Sequence, residues 1–391
     1  MLKITNYFLK ISLAISLAIF LIWTLAFFAL KYGWTNVAGG EDKNSVAYNA
    51  LAQEEQKKEA VLGEKIASSS SEISTSTIAT TSLPVLANFL SDKNLCYLIA
   101  AAKSAPNNAD IILKTFRAVN SEELLARMLL ALKLRLGENS EFSQSLANCD
   151  SLYSIANFTE QDLNTLLENA STTPNFYVWQ NGEPWQIIRQ AIVKDKEKIE
   201  EAAKLADIQP RMLVSVAIVE QLRLYYTQRE LYEKFFRPLK VLANANKMAW
   251  GIMSIKEKMA KETEAHLVDQ NSPYYLGLEK EILLNYAPED NVDKKRYERL
   301  TDEHNHFYSY LYGALILRQF QAQWQKAGYD LYYRPEILAT LFNIGFNHSE
   351  PKAEPMVGGS TLNIEEQKYY FGALAYEFYY SGDLQEVFLF K

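Results

Sequence analysis

The chain has 391 residues, of which 48% are hydrophobic, and its formal net charge is −7. This length and composition allow more than one domain with a sizeable core, and they exclude a chain that is disordered throughout. Because nucleic-acid-binding proteins usually present a basic surface, the excess of acidic residues (47 against 40 basic) predicts no nucleic-acid partner.

An uncharged, apolar run occupies residues 11–30, after a short N-terminal end at residues 1–10. At about 1.5 Å per residue, a helix of this length spans a hydrocarbon core of roughly 30 Å. The run is longer than the usual apolar part of a signal peptide, and no convincing Ala-x-Ala cleavage site follows it. We therefore expect an uncleaved, single-pass membrane anchor with residues 1–10 in the cytoplasm and the bulk of the chain extracytoplasmic. A cleaved signal peptide is the alternative.

Residues 31–82 are polar, and from Ser68 to Ser82 they are almost entirely Ser, Thr, Ile and Ala, a composition typical of a flexible spacer. A short surface helix is expected within Ala47–Ile66. Residues 83–171 alternate apolar runs with polar breaks, which predicts a smaller helical domain that positions the rest of the chain or meets a protein partner. A helical extension of a single domain is the alternative. The predicted helices are Leu86–Ala102, Ala109–Ala118, Glu122–Leu136, Glu141–Ala147 and Gln161–Leu167.

Cys96 and Cys149 are the two cysteines of the chain. In an exported protein they could form a disulfide that closes a loop of about fifty residues and stabilises the fold by roughly 4 kcal/mol. Two separately buried thiols are an equal alternative. Their spacing matches no metal site.

A second helical region is predicted over residues 172–391. It opens with a charged helix at about Trp185–Ala206, whose residues 194–198 we interpret as a solvated face. Pro210 suits the first turn of the next helix, and the run from Met212 to Val219 leaves almost no polar side, which predicts burial.

Glu220 closes this apolar run. Burial and the negative end of the helix dipole both favour a protonated carboxyl group there, as a general acid requires. Glu220 is therefore the candidate catalytic residue. The alternative is a buried carboxylate paired with Arg223 or another cation.

Two later blocks add to Glu220. The first is Gly251-Ile252-Met253-Ser254, and the second is Phe342-Asn343-Ile344-Gly345, at the end of a helix opened by Pro335. In this order the three blocks resemble the lysozyme-like lytic transglycosylases of the soluble lytic transglycosylase and goose-type lysozyme group, over roughly Lys194–Asn347. Gln221, Ser254 and Phe342 stand where that family usually has Ser, Gln and Tyr.

The resemblance implies an all-α fold with a lysozyme-like catalytic domain at 172–391, and peptidoglycan glycan strands as the substrate. Glu220 would cleave the β-1,4 bond between N-acetylmuramic acid and N-acetylglucosamine and leave 1,6-anhydro ends, with no metal and no cofactor. The substrate-binding residues implied are Gly251, Ile252, Met253, Ser254, Phe342, Asn343 and Gly345. A hydrolase would need a second carboxylate, for which Glu230 and Glu233 remain open. The rival interpretation is a catalytically silent, lysozyme-like cell-wall-binding or scaffold protein.

The remaining pattern predicts a helix at His306–Lys326, a C-terminal helix within Gln367–Phe388, and few strands. Aromatic side chains stack on sugar rings, so several tyrosines are candidates for the walls of a cleft. These are Tyr225, Tyr226, Tyr274, Tyr275 and Tyr310. His304 and His306 lie close together in the sequence, but without a recognised ligand spacing we interpret them as surface histidines rather than metal ligands.

Overall fold

The computed structural model describes residues 2–32, 39–53, 92–119, 122–137, 140–152, 175–226 and 249–390. This part of the chain is mostly helical with a few short strands, which confirms the all-α class predicted from the sequence. Three predictions fall outside the described residues: the helix Gln161–Leu167, the stretch Ser68–Ser82, and the alternative carboxylates Glu230 and Glu233.

The helices follow the predicted ones closely in the middle of the chain. The earlier helices are α1 (Leu2–Tyr32), α2 (Asp92–Ser104), α3 (Ala109–Val119), α4 (Glu122–Leu136) and α5 (Glu141–Leu152). The later helices are α6 (Glu183–Lys194), α7 (Lys196–Ala206), α8 (Pro210–Tyr226), α9 (Glu257–Val268), α10 (Val292–Thr301), α11 (Phe307–Lys326), α12 (Pro335–Ile344) and α13 (Phe371–Ser381).

The strands form three antiparallel pairs of two strands each. They are β1 (Gly40–Glu41) with β4 (Gly358–Gly359), β2 (Ala249–Trp250) with β3 (Ile255–Lys256), and β5 (Thr361–Ile364) with β6 (Gln367–Tyr370).

The uncharged run at residues 11–30 lies within α1. Among the helices in the described part of the chain, none is both long enough and apolar enough to cross a lipid bilayer. The membrane anchor predicted for residues 11–30 stays a prediction.

Helix α8 lies at the centre of the later helices because no side of it is polar. Its side chains from Met212 to Val219 are completely buried, as the sequence predicts. The helix packs against α6, α7, α11, α12 and α13. Removing apolar surface from water contributes about 25 cal/mol per Å², so this surrounded helix is a main source of stability for the body.

Arg211, in the first turn of α8, is a buried cation that holds the end of α13. Its guanidinium donates to the carbonyl oxygens of Tyr379 (2.9 Å), Phe388 (3.1 Å) and Phe378 (3.3 Å), and it lies 4.3 Å from the centre of the Phe390 ring. Burial lowers the pKa of Arg211 to about 10, so the group stays charged at neutral pH. A positive charge at the negative end of a helix is favourable, and the last carbonyls of α13 gain donors that the helix itself lacks.

A buried ion pair joins the earlier helices to α13. Nε of Arg135, on α4, donates to the carboxylate of Glu377 (2.6 Å), which also accepts from the indole N–H of Trp179 (3.2 Å). Burial raises the pKa of Glu377, although Arg135 and Trp179 oppose this change. Since one apolar cluster continues from α2–α5 into the later helices, the described part of residues 83–171 is packed against the rest of the body.

Cys96 of α2 and Cys149 of α5 form a disulfide, with their Cα atoms 5.7 Å apart. The sequence left a disulfide and two free thiols as equal alternatives. The structure contains the disulfide, which joins two helices that are also packed together.

Part of the predicted spacer is attached to the body. In residues 39–53, Gly40 of β1 pairs with Gly359 of β4, and the side chain of Asn49 donates to the carbonyl of Pro355 (2.8 Å). Arg334 in turn donates to the Asn49 side chain (2.8 Å). The prediction of a spacer over all of residues 31–82 is therefore wrong for residues 39–53, because backbone pairing and a buried amide hold them in place.

Two helix predictions also need correction. The helix expected at Trp185–Ala206 is interrupted at Asp195, which is 3% exposed rather than part of a solvated face. In the C-terminal segment, Gln367–Tyr370 forms β6 instead of the first turn of a helix. A tight turn at Glu365, whose φ is +52°, folds the chain back onto β5, and strand pairing then competes successfully with helix formation.

We predict that Arg211→Met destabilises the protein by about 3 kcal/mol or more, because buried carbonyl oxygens lose their donors. Urea-induced unfolding measures this difference. Arg318→Met is the matched control, since Arg318 forms a partly exposed pair with Asp207 at 3.6 Å, and it should change stability by less than about 1 kcal/mol. Equal effects of the two substitutions would contradict the role of Arg211.

We also predict cooperative unfolding in alkali. Burial raises the pKa of many tyrosines, most strongly in Tyr48, Tyr177 and Tyr380. These residues keep their protons in the folded state, whereas tyrosines of the unfolded chain ionise near pH 10. Their stabilising contribution is complete below about pH 10 and decreases as the pH rises further. The lowered pKa of Arg211 acts in the opposite direction, but it is a single group.

Tyrosinate absorbance and circular dichroism, followed together during a rise in pH, test this prediction. We expect the buried tyrosines to ionise at the same pH at which helicity is lost. Gradual ionisation of all 24 tyrosines near pH 10, with helicity retained, is the contrary result.

Candidate active site

Glu220 is buried and paired with a cation. It is 2% exposed, and its carboxylate accepts a hydrogen bond from Nε of Arg223 (3.1 Å) and a second from Nη2 of the same residue. The helix continues beyond Glu220 to Tyr226, so its negative end lies more than one turn after Glu220. Because the effect of a helix dipole is confined to the last turn, it does not act on Glu220 as the sequence analysis expected. This is the ion-paired alternative of the sequence analysis. The pair must open before Glu220 donates a proton.

The block at residues 251–254 is a tight turn between β2 and β3. Gly251 has a φ of +70°, and a Cβ atom there would lie 2.0 Å from the carbonyl oxygen of Leu300. Ser254 also has a positive φ, +49°. The turn is therefore closed tightly against the end of α10, and only glycine fits at its first position.

Two side chains hold this turn from opposite sides. The side-chain amide of Gln221, next to Glu220, donates to the carbonyl oxygen of Ile252 (2.5 Å). On the other side, the backbone N–H of Met253 donates to Oγ of Ser309 on α11 (3.2 Å). The turn thus connects the Glu220 segment of α8 to the beginning of α11.

Met253 contributes to the core rather than to an open surface. Its side chain is fully buried and fills the space left by Gly313, where a Cβ atom would lie 2.7 Å from Cε of Met253. Ser254 is also buried, whereas Ile252 is partly exposed. Of the implied substrate-binding residues in this block, Gly251 is exposed and Ile252 is partly exposed.

The third block lies at the end of α12, which packs against α8. Phe342 is 3% exposed and belongs to the core. The side chain of Asn343 is used within the protein, since it accepts from the backbone N–H of Ser360 (2.7 Å) and donates to Oγ of the same residue (3.1 Å). Gly345 ends the helix with a φ of +91°. This block therefore positions β4 and β5 as well as the end of α12.

A second pair of polar residues lies at the beginning of α11. Nδ1 of His306 contacts the carboxylate of Asp195 (2.5 Å), which also accepts from the hydroxyl of Tyr310 (3.2 Å) and from Nζ of Lys198 (3.3 Å). Burial alone would raise the pKa of Asp195, but hydrogen bonds from His306 and Lys198 outweigh it, and the pKa is lowered. The carboxylate is therefore ionised at neutral pH and holds the imidazole ring in one orientation.

The tyrosines proposed for the cleft have different environments. Tyr310 is buried, and Tyr274 is buried with its hydroxyl on the carbonyl of Phe346 (3.1 Å). Tyr225 is 47% exposed and lies edge-on to the neighbouring Tyr226. The predictions for Tyr310 and Tyr274 are therefore wrong, because both rings are enclosed by the core.

Tyr275 donates to Glu281 (2.7 Å) at the surface. His304 is exposed, whereas His306 is the partner of Asp195. Within the described ranges no three His, Cys, Asp or Glu side chains form a group suited to hold a metal ion.

A cavity of about 240 Å³ lies elsewhere on the body. It is enclosed by the segment 45–53, the end of α11 and the loop at 352–355, and Glu220 and the turn at 251–254 are not among its lining residues. Its charged lining residues are Asp330, Arg334 and Lys352. Arg334 is already committed to Asn49 and Glu336, and we assign no chemistry to the cavity.

Sequence reasoning identified Glu220 and the turn but missed Asp195 and Ser309 as parts of the same region. Asp195 was placed on a solvated face because charges surround it in the sequence. Only the structure shows that Asp195 separates two helices, since α6 ends at Lys194 and α7 begins at Lys196. Comparisons with protein-family models, with characterised proteins and with solved structures give no match for this chain.

We predict that Gly251→Ala is more damaging than Gly345→Ala. Both residues have a positive φ, which in an L-residue costs about 1–2 kcal/mol. A Cβ atom at Gly345 meets open space, whereas one at Gly251 collides with a backbone carbonyl. The extra loss at Gly251 should be about 1–3 kcal/mol in urea unfolding. Equal losses would show that the turn can move away from Leu300.

Proposed function

We propose that this protein cleaves peptidoglycan glycan strands as a lytic transglycosylase, with Glu220 as the proton donor. The observation that carries the proposal is the hydrogen bond from Gln221 to Ile252. This bond places the turn at 251–254 beside the Glu220 segment, while α12, which carries the third block, packs on the same helix. Three blocks that are far apart in the sequence are thus part of one region, in agreement with the resemblance.

In the proposed reaction, the neutral carboxyl group of Glu220 gives its proton to the glycosidic oxygen as the C1–O bond breaks. The muramoyl 6-hydroxyl then forms a bond to C1, and its proton is released to a base, so that no water is consumed. In the route implied by the resemblance, the ionised Glu220 is that base. The sugar enters after the contact between Glu220 and Arg223 opens, since a paired carboxylate has no proton to give.

Backbone groups of the turn and the exposed ring of Tyr225 are suited to contact the sugars. The proposal places the body outside the cytoplasm, where peptidoglycan lies. The disulfide between Cys96 and Cys149 supports this location, because disulfides persist mainly in oxidising compartments. No nucleic acid takes part.

A second candidate function is a silent wall-binding or scaffold protein. The specific observation in its favour is the buried ion pair of Glu220 with Arg223, together with the use of Asn343 to hold Ser360. A permanent ion pair would keep Glu220 ionised and structural. Such a protein would bind glycan strands and release nothing from them.

We predict that the protein releases anhydromuramoyl products from purified peptidoglycan and that Glu220→Gln does not, because the amide keeps the shape of the side chain but has no acidic proton. Mass spectrometry of the soluble products measures both. Glu289→Gln is the matched control, since Glu289 is exposed and should leave the products unchanged.

Each other outcome selects a different conclusion. Products with reducing ends would indicate a hydrolase with a second carboxylate. Binding to peptidoglycan without release by the unchanged protein would indicate the silent alternative. Equal activity of the parent protein and Glu220→Gln would eliminate Glu220 as the acid.

A further inference from the structure

His306 is held in a way that leaves one of its ring nitrogens available. An ionised carboxylate only accepts hydrogen bonds, so the contact with Asp195 assigns a proton to Nδ1, and in the neutral ring the lone pair then lies on Nε2. Within the described residues, no hydrogen bond involves Nε2 of His306, and the side chain is 31% exposed. A buried carboxylate that orients an accessible imidazole is the arrangement of a general base.

The packing of three helices places His306 at the same end of the bundle as Glu220. Helices α7 and α11 run in parallel, because Asp195 meets His306 before one end while Asp207 meets Arg318 near the other. The short connection at 207–209 leads from α7 into α8, and α8 packs against both α7 and α11. The end of α8 and the beginning of α11 lie near each other, because Gln221 and Ser309 both hold the turn at 251–254.

The register between α8 and α11 follows from Gly313. A Cβ atom there would lie 3.3 Å from Leu213, which marks the level at which the two helices meet. Glu220 follows Leu213 by seven residues, and His306 precedes Gly313 by seven. Each lies about 10 Å along its helix from this level, on the side of the turn at 251–254, which Gln221 and Ser309 both contact. Glu220 and His306 therefore lie toward the same end of the bundle.

The turn at 251–254 supports this placement. Its carbonyl at Ile252 is held by Gln221, the neighbour of Glu220, and its N–H at Met253 by Ser309, one helical turn from His306. The turn thus contacts both helix segments that carry the candidate groups. A sugar bound beside the turn would be near both segments.

The ion pair of Glu220 explains why a second group is useful. After it donates its proton, the Glu220 carboxylate is again stabilised by the guanidinium of Arg223. The guanidinium then again holds Oε2 of Glu220 through two hydrogen bonds, whereas Nε2 of His306 makes no hydrogen bond within the described residues.

We propose that Nε2 of His306 is the base of the reaction and takes the proton of the attacking muramoyl 6-hydroxyl, while Asp195 is its positioning residue. The inference rests on the proposed function and divides its two proton transfers between two residues. The 6-oxygen bonds to C1, the C1–O bond breaks, and the leaving oxygen takes the proton of Glu220. Transfer of a proton from imidazolium to Glu220 through solvent restores the starting state.

The charged and titratable groups around His306 are known from the structure. Asp195 faces it from the junction of α6 and α7, with Lys198 behind that carboxylate, and Tyr310 faces it from its own helix. Asp302 lies in the segment before α11. It interacts electrostatically with both His304 and His306. The acid limb of the pH–rate profile should therefore report the His306 imidazole in contact with Asp195, and the exposed His304 is not part of that contact.

The test compares His306→Gln with the matched control His304→Gln, an exposed histidine two residues away. Initial rates of anhydromuramoyl release and thermal unfolding are measured for both. We expect kcat of His306→Gln to fall on the order of 10²-fold, with KM and the unfolding temperature nearly unchanged, and its acid limb to disappear. The control should retain the full rate and the limb.

Asp195→Asn provides the second variant. Its amide can no longer hold the ring in the same tautomer, so the acid limb should shift while a reduced rate remains. NMR spectra of the four ring systems, His266, His304, His306 and His348, supply a readout other than activity. In Glu220→Gln, the His306 ring signals should respond to added glycan fragments, and those of His348 should not.

The outcomes separate the two proposals. An active parent protein whose His306→Gln variant keeps its rate and acid limb overturns the role of His306 and leaves the proposed function intact. A parent protein without anhydromuramoyl products overturns both. Loss of activity in His306→Gln accompanied by unfolding, with no response of the His306 signals to glycan, also counts against the inference.

Discussion

Helix α8 is surrounded by other helices, and each polar group that it carries inside needs a partner there. Arg211 at its beginning finds three carbonyl oxygens from the end of α13 and the segment that follows it. Glu220, nearer its end, finds Arg223 one turn away. The first charge is satisfied by distant backbone, so it joins separate parts of the chain. The second is satisfied locally, within one turn of the same helix.

The turn at 251–254 connects α8 to two neighbouring helices. It contacts the end of α10 through Gly251, α8 through Ile252 and α11 through Met253. The four residues of the turn therefore link the positions of three helices. In the proposed site, such a turn links the segment of Glu220 to the segment of His306. A site on packed helices holds its geometry better than one on a mobile loop, as proton transfer requires.

The three positions that differ from the family pattern, Gln221, Ser254 and Phe342, have defined environments in the structure. Gln221, where the family usually has Ser, reaches the turn and holds it. Phe342 fills core space where a tyrosine hydroxyl would otherwise be buried, and Ser254 is enclosed within the turn. Polar support for the acid is therefore reduced on the side of α12. On the side of α11, Asp195 and His306 add a polar pair that the three blocks do not include.

The sequence by itself determined the helical class, the buried nature of α8, the bounds of α11, and the positions of Glu220 and the glycine turn. These features follow from local periodicity, proline and glycine chemistry, and apolar runs, which are written in neighbouring residues. Only the tertiary structure decided that Glu220 pairs with Arg223, that Asp195 is buried beside His306, that residues 39–53 are attached to β4, and that Cys96 meets Cys149. Each of these depends on which side chains meet after the helices have packed, and packing is set by the shape of the whole core rather than by any one segment.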